Sequence, residues 1–145
     1  MLSINFLDIS ENMHLWNDTI KIYNSSFPEW EREDSYNILK NIKNSRYKMI
    51  VSIYKNKVLG FYILDTNQKL NYTLFTFLAV EKTLRGKGIG TQLCLHAIDY
   101  FKKKITCQWL LIVTENNLVK FYGKLGFKRI IIDYNVPKFN CVIFV

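Results

Sequence analysis

The chain is poor in the residues that staple or punctuate a small fold: its 145 residues include three cysteines, two prolines, six glycines and two histidines. Cys94, Cys107 and Cys141 are odd in number and widely spaced, which fits neither a disulfide framework nor a zinc-site spacing. They read as reduced thiols, since a free cysteine behaves as a small buried hydrophobe. His14 and His96 have no second ligand type at metal-binding spacing on the same helix face, so no metal is expected and both read as surface residues. Long apolar runs are missing as well. Leu70 to Val80 and Trp109 to Thr114 fall short of the roughly 20 apolar residues that span a bilayer, so no membrane partner is expected. The N-terminal segment carries Asp8 and Glu11 where a secretory signal would be basic and then apolar, and a cytoplasmic location is expected.

What is present can fill a core. Hydrophobic residues make up 49% and aromatics 15%, no linker or low-complexity tail is visible, and disorder is not expected. The length suits one domain over 1–145, burying roughly two-thirds of its unfolded surface. The net charge of +8 is uneven: residues 1–46 hold five basic and seven acidic side chains, residues 47–145 fifteen and five. A nucleic-acid-binding domain is disfavoured, because the first third is acidic and no helix-turn-helix or zinc signature occurs. Lys102-Lys103-Lys104 reads as cations at a helix C-terminus, each worth about 0.3–1 kcal/mol there.

Three of the six glycines fall in one stretch, Arg85-Gly86-Lys87-Gly88-Ile89-Gly90. Before it runs Tyr72 to Val80, rich in β-branched and aromatic residues. After it, Ile89, Leu93, Ala97 and Phe101 recur at four-residue steps and predict a helix from about Gly88 to Lys103. A strand, a turn of bare backbone amides and a helix N-terminus form an anion cradle, because those amides have no intrahelical partner and the dipole end is positive. The spacing excludes a Walker loop, which needs Lys before the Ser or Thr that follows its last glycine. It also excludes the dinucleotide fingerprint, which needs two residues between its second and third glycines. The remaining pattern, Arg85-x-x-Gly88-x-Gly90, arises by chance in roughly one chain in seven of this length, so its context decides.

The elements around it read as a strand near Ile4 to Leu7, then a helix with apolar Met13, Trp16, Ile20, Tyr23 and Phe27, capped by Ser10 and stopped by Pro28. A second helix starts at Asp34 or Ser35 and carries Ile38, Leu39 and Ile42. Met49-Val51-Ile53, Val58 to Leu64 and Leu70 to Val80 form an antiparallel meander turning at Asn56-Lys57 and Asn67-Gln68. Gln108 to Thr114, a short helix with Leu118, Phe121, Tyr122 and Leu125 ending at Gly126, and strands near Lys128 to Tyr134 and Phe139 to Val145 around Pro137 complete the chain. The order is β-α-α-β-β-β-α-β-α-β-β. It predicts an α/β (α+β) fold, a mixed, mostly antiparallel sheet of about seven strands flanked by four helices.

Phe77 to Gly90, FLAVEKTLRGKGIG, resembles the fourth strand and pyrophosphate loop of the GNAT family of N-acetyltransferases, and Asn116 to Phe127 is similar to that family's closing helix. The element order is also the family's. The resemblance implies acetyl-CoA as co-substrate, with Leu78, Ala79, Val80, Arg85, Gly86, Lys87, Gly88, Ile89, Gly90, Thr91, Asn117 and Phe121 contacting it. It implies Tyr122 as general acid. The family often carries a Glu in the fourth strand, whereas Asn71 to Val80 holds no acid and Glu81 lies just past its end, the nearest base candidate. The family's Asn seven residues before the Tyr is Glu115 here. Glu29, Glu31 and Glu33 fall where the family binds its acceptor, and their charge suits a small-molecule or peptide amine. The expected function is acetyl transfer to a primary amine by direct attack on the thioester. The rival reading is a coenzyme A-binding sensor or interaction module without strong catalysis. Edge strands and aromatics near the C-terminus leave room for a homodimer.

Overall fold

Lys55 and Asn56 both take positive φ, 49° and 63°, as a two-residue hairpin loop matched to strand twist requires. They join β2 (Tyr47–Tyr54) to β3 (Lys57–Asp65), one residue earlier than the turn expected at Asn56-Lys57. The computed structural model describes residues 3–67, 71–130 and 139–144. Of the expected features, Gln68 and Leu70 at the second turn, the continuation to Tyr134, Pro137 and Val145 lie outside the described residues. β1 (Asn5–Asp8) pairs with β2, and β4 (Tyr72–Val80) with β3. β5 (Trp109–Glu115), β6 (Lys128–Ile130) and β7 (Phe139–Phe144) complete a seven-stranded sheet in the order β1-β2-β3-β4-β5-β7-β6. Every pairing is antiparallel except β4 with β5. The helices are α1 (Trp16–Ser26), α2 (Ser35–Lys43), α3 (Ile89–Lys104) and α4 (Val119–Lys124).

The period-2 alternation of a strand deals its side chains to two cores. Met49, Val51, Ile53, Phe61 and Ile63 pack with Ile22 and Tyr23 of α1 and Ile38 and Ile42 of α2. Ile50, Tyr62 and Leu64 pack with Leu93, Cys94, Ala97, Ile98 and Phe101 of α3 and Tyr122 of α4. β2 and β3 are therefore apolar on both faces, and even Ser52 is fully buried, its hydroxyl donating to the Gly60 carbonyl at 3.2 Å.

Two expectations fail locally. Ser10 does not cap the first helix; Asp8 caps a 3-10 turn over Ile9–Glu11, accepting from the Ser10 N–H at 2.9 Å. A second 3-10 turn then holds the exposed His14, and α1 begins only at Trp16. His96 is not a surface residue. It is half-buried, stacked on Phe6 (4.3 Å, 18°), with Nδ1 2.8 Å from the Tyr62 hydroxyl. Among the described residues no helix is long and apolar enough to cross a membrane.

Two irregularities shape the middle of the sheet. The register slips between Ser52 and Ile53, leaving Leu59 as an extra residue on β3. Its carbonyl accepts the Glu81 N–H at 2.8 Å, which pins the end of β4. Next to it, Gly60 lies so close to β4 that a Cβ there would stand 2.5 Å from the Ala79 carbonyl oxygen. A second slip between Ile63 and Leu64 leaves Thr76 unopposed on β4, a bulge of the kind that sharpens local twist.

Burial holds the His96 pKa below its ordinary value. The folded state thus favours the neutral ring, so its share of stability is present above the unfolded pKa of about 6.5 and lost as pH falls below it. The thermal midpoint of the wild type is expected to drop between about pH 7.5 and about pH 5 by more than that of His96→Gln. Parallel curves for the two proteins would contradict this.

Candidate active site

β4 and β5 pair only through Tyr72, Thr73 and Leu74 opposite Trp109, Leu110 and Leu111. Beyond those three pairs the ladder stops, at the point where the Thr76 bulge bends β4. Parallel strands that part in this way leave backbone groups of β4 without a strand partner on that edge, and the gap opens to either side as a cavity. The first cavity, about 530 Å3, lies between the β4 end, the glycine turn and α4. The second, about 640 Å3, lies between β4, the β5 end and the loop after α1. Ser26, Phe27, Leu78, Leu118 and Tyr122 line both, so they form the shared wall.

The glycine turn is built as its spacing predicts. Gly86 and Gly88 hold φ of 81° and 83°, which side-chain-bearing residues adopt at a cost. Gly88 is the N-cap of α3, and the first intrahelical bond is Gln92 N–H to the Gly88 carbonyl. The amides of Ile89, Gly90 and Thr91 are therefore without helical partners at the positive end of a 16-residue helix. Arg85 folds back, donating from Nε to the Val80 carbonyl at 3.2 Å and from its guanidinium to the Ser26 hydroxyl at 3.4 Å. It ties the ends of β4 and α1 together beside the cradle.

Ten of the expected cofactor residues line the first cavity: Leu78, Ala79, Val80, Arg85, Gly86, Gly88, Ile89, Gly90, Thr91 and Phe121. Lys87 and Asn117 are exposed and line neither cavity. Glu81 also lines neither. Its carboxylate caps the 3-10 turn Lys82–Leu84, accepting from the Thr83 N–H at 2.8 Å and from the Thr83 hydroxyl, and this holds its pKa below the ordinary carboxylate value. A carboxylate so engaged is a weaker base and is not directed at the gap.

The three glutamates of the first loop separate. Glu33 is a structural anchor: Tyr47 donates to its two carboxylate oxygens at 2.9 and 2.8 Å, Asn37 donates at 2.5 Å, and its N–H donates to the Tyr23 hydroxyl at 2.7 Å. Glu29 is exposed and lines neither cavity. Only Glu31 lines the second cavity, where Glu115 faces it from the β5 end together with Trp30, Phe75, Phe77 and Thr114. The sequence reading did not place Trp30, Leu118 or Glu115 at the site. The signal for Glu115 was its departure from the family's Asn.

Tyr122 is held by the end of α4. Gly126, at φ 104°, donates its N–H to the Gly123 carbonyl, and the Phe127 N–H reaches the Tyr122 carbonyl at 3.2 Å. Those two bonds make a Schellman cap. Its hydrophobic contact is the Tyr122–Phe127 ring pair, 5.7 Å apart. Tyr122 is 7% exposed, and among the described residues no group hydrogen-bonds its hydroxyl. Burial pushes its pKa above the ordinary phenol value, so the hydroxyl stays protonated and able to donate. Among the described residues, no three His, Cys, Asp or Glu side chains gather as metal ligands.

Residues 16–127 match the Acetyltransferase (GNAT) family, and the chain belongs to it: an acyltransferase with acetyl-CoA as its co-substrate. Over 102 residues it is 34% identical to the [ribosomal protein bS18]-alanine N-acetyltransferase of Haemophilus influenzae, covering 70% of this chain and 68% of that one. Its fold is similar to that of the PaiA N-acetyltransferase of Thermoplasma acidophilum in complex with coenzyme A (TM-score 0.70, 20% identity, 99% of each chain). It is also similar to a GNAT-family acetyltransferase from Staphylococcus aureus Mu50 (TM-score 0.73, 19% identity, 98% of each chain).

The two glycines of the cradle separate conformation from space. Gly88→Ala is expected to lower the unfolding free energy by about 1–2 kcal/mol, because the new side chain must hold a left-handed φ. It is also expected to weaken coenzyme A binding in calorimetry. In Gly90→Ala the new Cβ meets only Val80 Cγ2, at an ordinary 3.7 Å, and the loss of stability is expected to be smaller. Equal effects of the two would contradict the strain argument.

Proposed function

We propose that the protein transfers the acetyl group of acetyl-CoA to a primary amine by direct attack of the amine on the thioester, across the wall shared by the two cavities. The pyrophosphate lies on the amides of Ile89, Gly90 and Thr91 and on the turn at Gly86 and Gly88, where unpartnered N–H groups and the helix dipole favour negative charge. Arg85 adds a fixed cation there. The pantetheine arm runs along Leu78 to Val80 in the gap, and Phe121 closes it from the α4 side. The acceptor enters through the second cavity.

The observation that supports this reading best is Tyr122, a largely buried side chain that lines both cavities and whose hydroxyl has no hydrogen-bond partner among the described residues. In the reaction a C–N bond forms and the C–S bond breaks, the nitrogen loses a proton and the sulfur gains one. The Tyr122 phenol donates to the sulfur as the bond breaks. The phenolate that results is strongly basic, because burial raises its pKa, and it recovers a proton from the still positively charged nitrogen of the N-protonated amide that the collapse leaves. This exchange needs no carboxylate on β4. An acceptor that arrives as an ammonium first gives up a proton to water in the second cavity, since Glu81 is engaged with Thr83.

Tyr122→Phe is expected to lower kcat by about 100-fold or more while the Kd for coenzyme A stays within about twofold, a change of less than 0.5 kcal/mol. The measurement is release of free thiol from acetyl-CoA with an amine acceptor, alongside calorimetric binding of coenzyme A. An unchanged kcat would remove Tyr122 from the chemistry.

A further inference from the structure

We propose that the second cavity selects an acceptor with two cationic centres joined by an apolar spacer, a linear alkyl diamine or oligoamine, and that Glu31 and Glu115 are its specificity-determining residues. This rests on the acetyl-transfer reading above. The two carboxylates come from different elements, the loop after α1 and the end of β5, and both line one cavity of about 640 Å3. Among the described residues no Lys or Arg lines that cavity, although the chain as a whole carries a net charge of +8. An anionic or zwitterionic acceptor would bring like charge against both glutamates.

The rest of the wall is apolar and aromatic. Phe27, Trp30 and Phe77 line it, and Trp30 is 74% exposed. Such faces accept methylene groups and attract an ammonium over the ring. The acids do not stand alone: Tyr122, 7% exposed, lines the same cavity with a hydroxyl that has no partner among the described residues. An unpartnered hydroxyl on a cavity wall is available to hydrogen-bond a ligand atom. Two carboxylates suit two charges for a chemical reason. A diamine enters as two ammonium groups that match the two carboxylates, and when one gives up its proton to attack the thioester the other stays charged and keeps a counter-charge, whereas a monoamine leaves one glutamate unpaired on entry and both once it is neutral. Glu29 and Glu33 do not line this cavity, and Glu33 is bound by Tyr47 and Asn37.

The test uses the whole protein and three acceptors of equal length: diaminopentane, aminopentanol with a neutral far end, and aminopentanoate with an anionic one. Thiol release from acetyl-CoA is expected to give a KM for diaminopentane about twofold to fivefold below that for aminopentanol, with aminopentanoate poorest. Added salt is expected to narrow that ratio. Glu31→Gln and Glu115→Gln are each expected to reduce it, through KM more than through kcat. Equal KM values for diaminopentane and aminopentanol, or a ratio untouched by both variants, would overturn the inference while leaving acetyl transfer intact. Calorimetry with diaminopentane on coenzyme A-loaded protein separates the remaining cases. Binding that weakens in the double variant, without thiol release, supports the inference and overturns the transfer reading. Neither binding nor release overturns both.

Discussion

The loss of pairing between β4 and β5 after Leu74 and Leu111 is the constraint on which the rest of the site depends. A sheet that remained zipped to Val80 and Glu115 would have no opening in its middle and no place where two molecules could meet. The Thr76 bulge on β4, the Leu59 bulge on β3 and the close approach of Gly60 to Ala79 bend and hold β4 on its other edge. With β4 fixed by β3, the gap opens on the β5 side alone. The glycine turn then begins where β4 ends, so the anion cradle and the free strand edge share one cavity.

Two cores hold the walls of that gap in place. α1 and α2 cover one face of the sheet, and α3 with α4 the other. The C-terminal end of α1 reaches the gap through Ser26 and Phe27, and the Phe27–Phe77 and Tyr23–Phe77 ring contacts at 5.0 and 5.1 Å fasten it to β4. Arg85 adds a polar tie between the same elements. On the opposite wall the Schellman cap at Gly126 and the Phe127 ring fix Tyr122. The walls on either side of the Tyr122 hydroxyl are therefore positioned by elements far apart in the chain, each anchored in a core of its own.

The element order was legible because its signals are local. Short apolar runs in β2 and β3, four-residue steps in α3, glycines where φ must be positive at 86, 88 and 126, and a proline just past α1 each act within a few residues. The cradle was legible for the same reason. The placement of single side chains was not, because it depends on contacts across the fold. Glu33 reads as one of four acids in a loop, yet Tyr47, 14 residues away, makes it an anchor. Glu81 reads as a base beside a strand, yet Thr83 makes it a cap. His96 reads as solvated until Phe6 and Tyr62 cover it. Nothing in the residues of β4 announces that Thr76 lies in a bulge, since register is a property of two strands.

Charge follows the same division. The glycine-turn side carries Arg85 and a helix N-terminus, while the other side of the shared wall carries Glu31 and Glu115. On the proposed reading, a polyanionic donor and a cationic acceptor are sorted to opposite ends of one opening, with Tyr122 between them. The central claim is that the unpaired edge of β4 holds the acyl donor. A crystal structure of the protein with coenzyme A tests it most directly: the pantetheine should hydrogen-bond to β4 backbone between Leu78 and Val80, its sulfur within reach of the Tyr122 hydroxyl. Coenzyme A bound outside the gap, or β4 and β5 paired along their full length in its presence, would contradict the account.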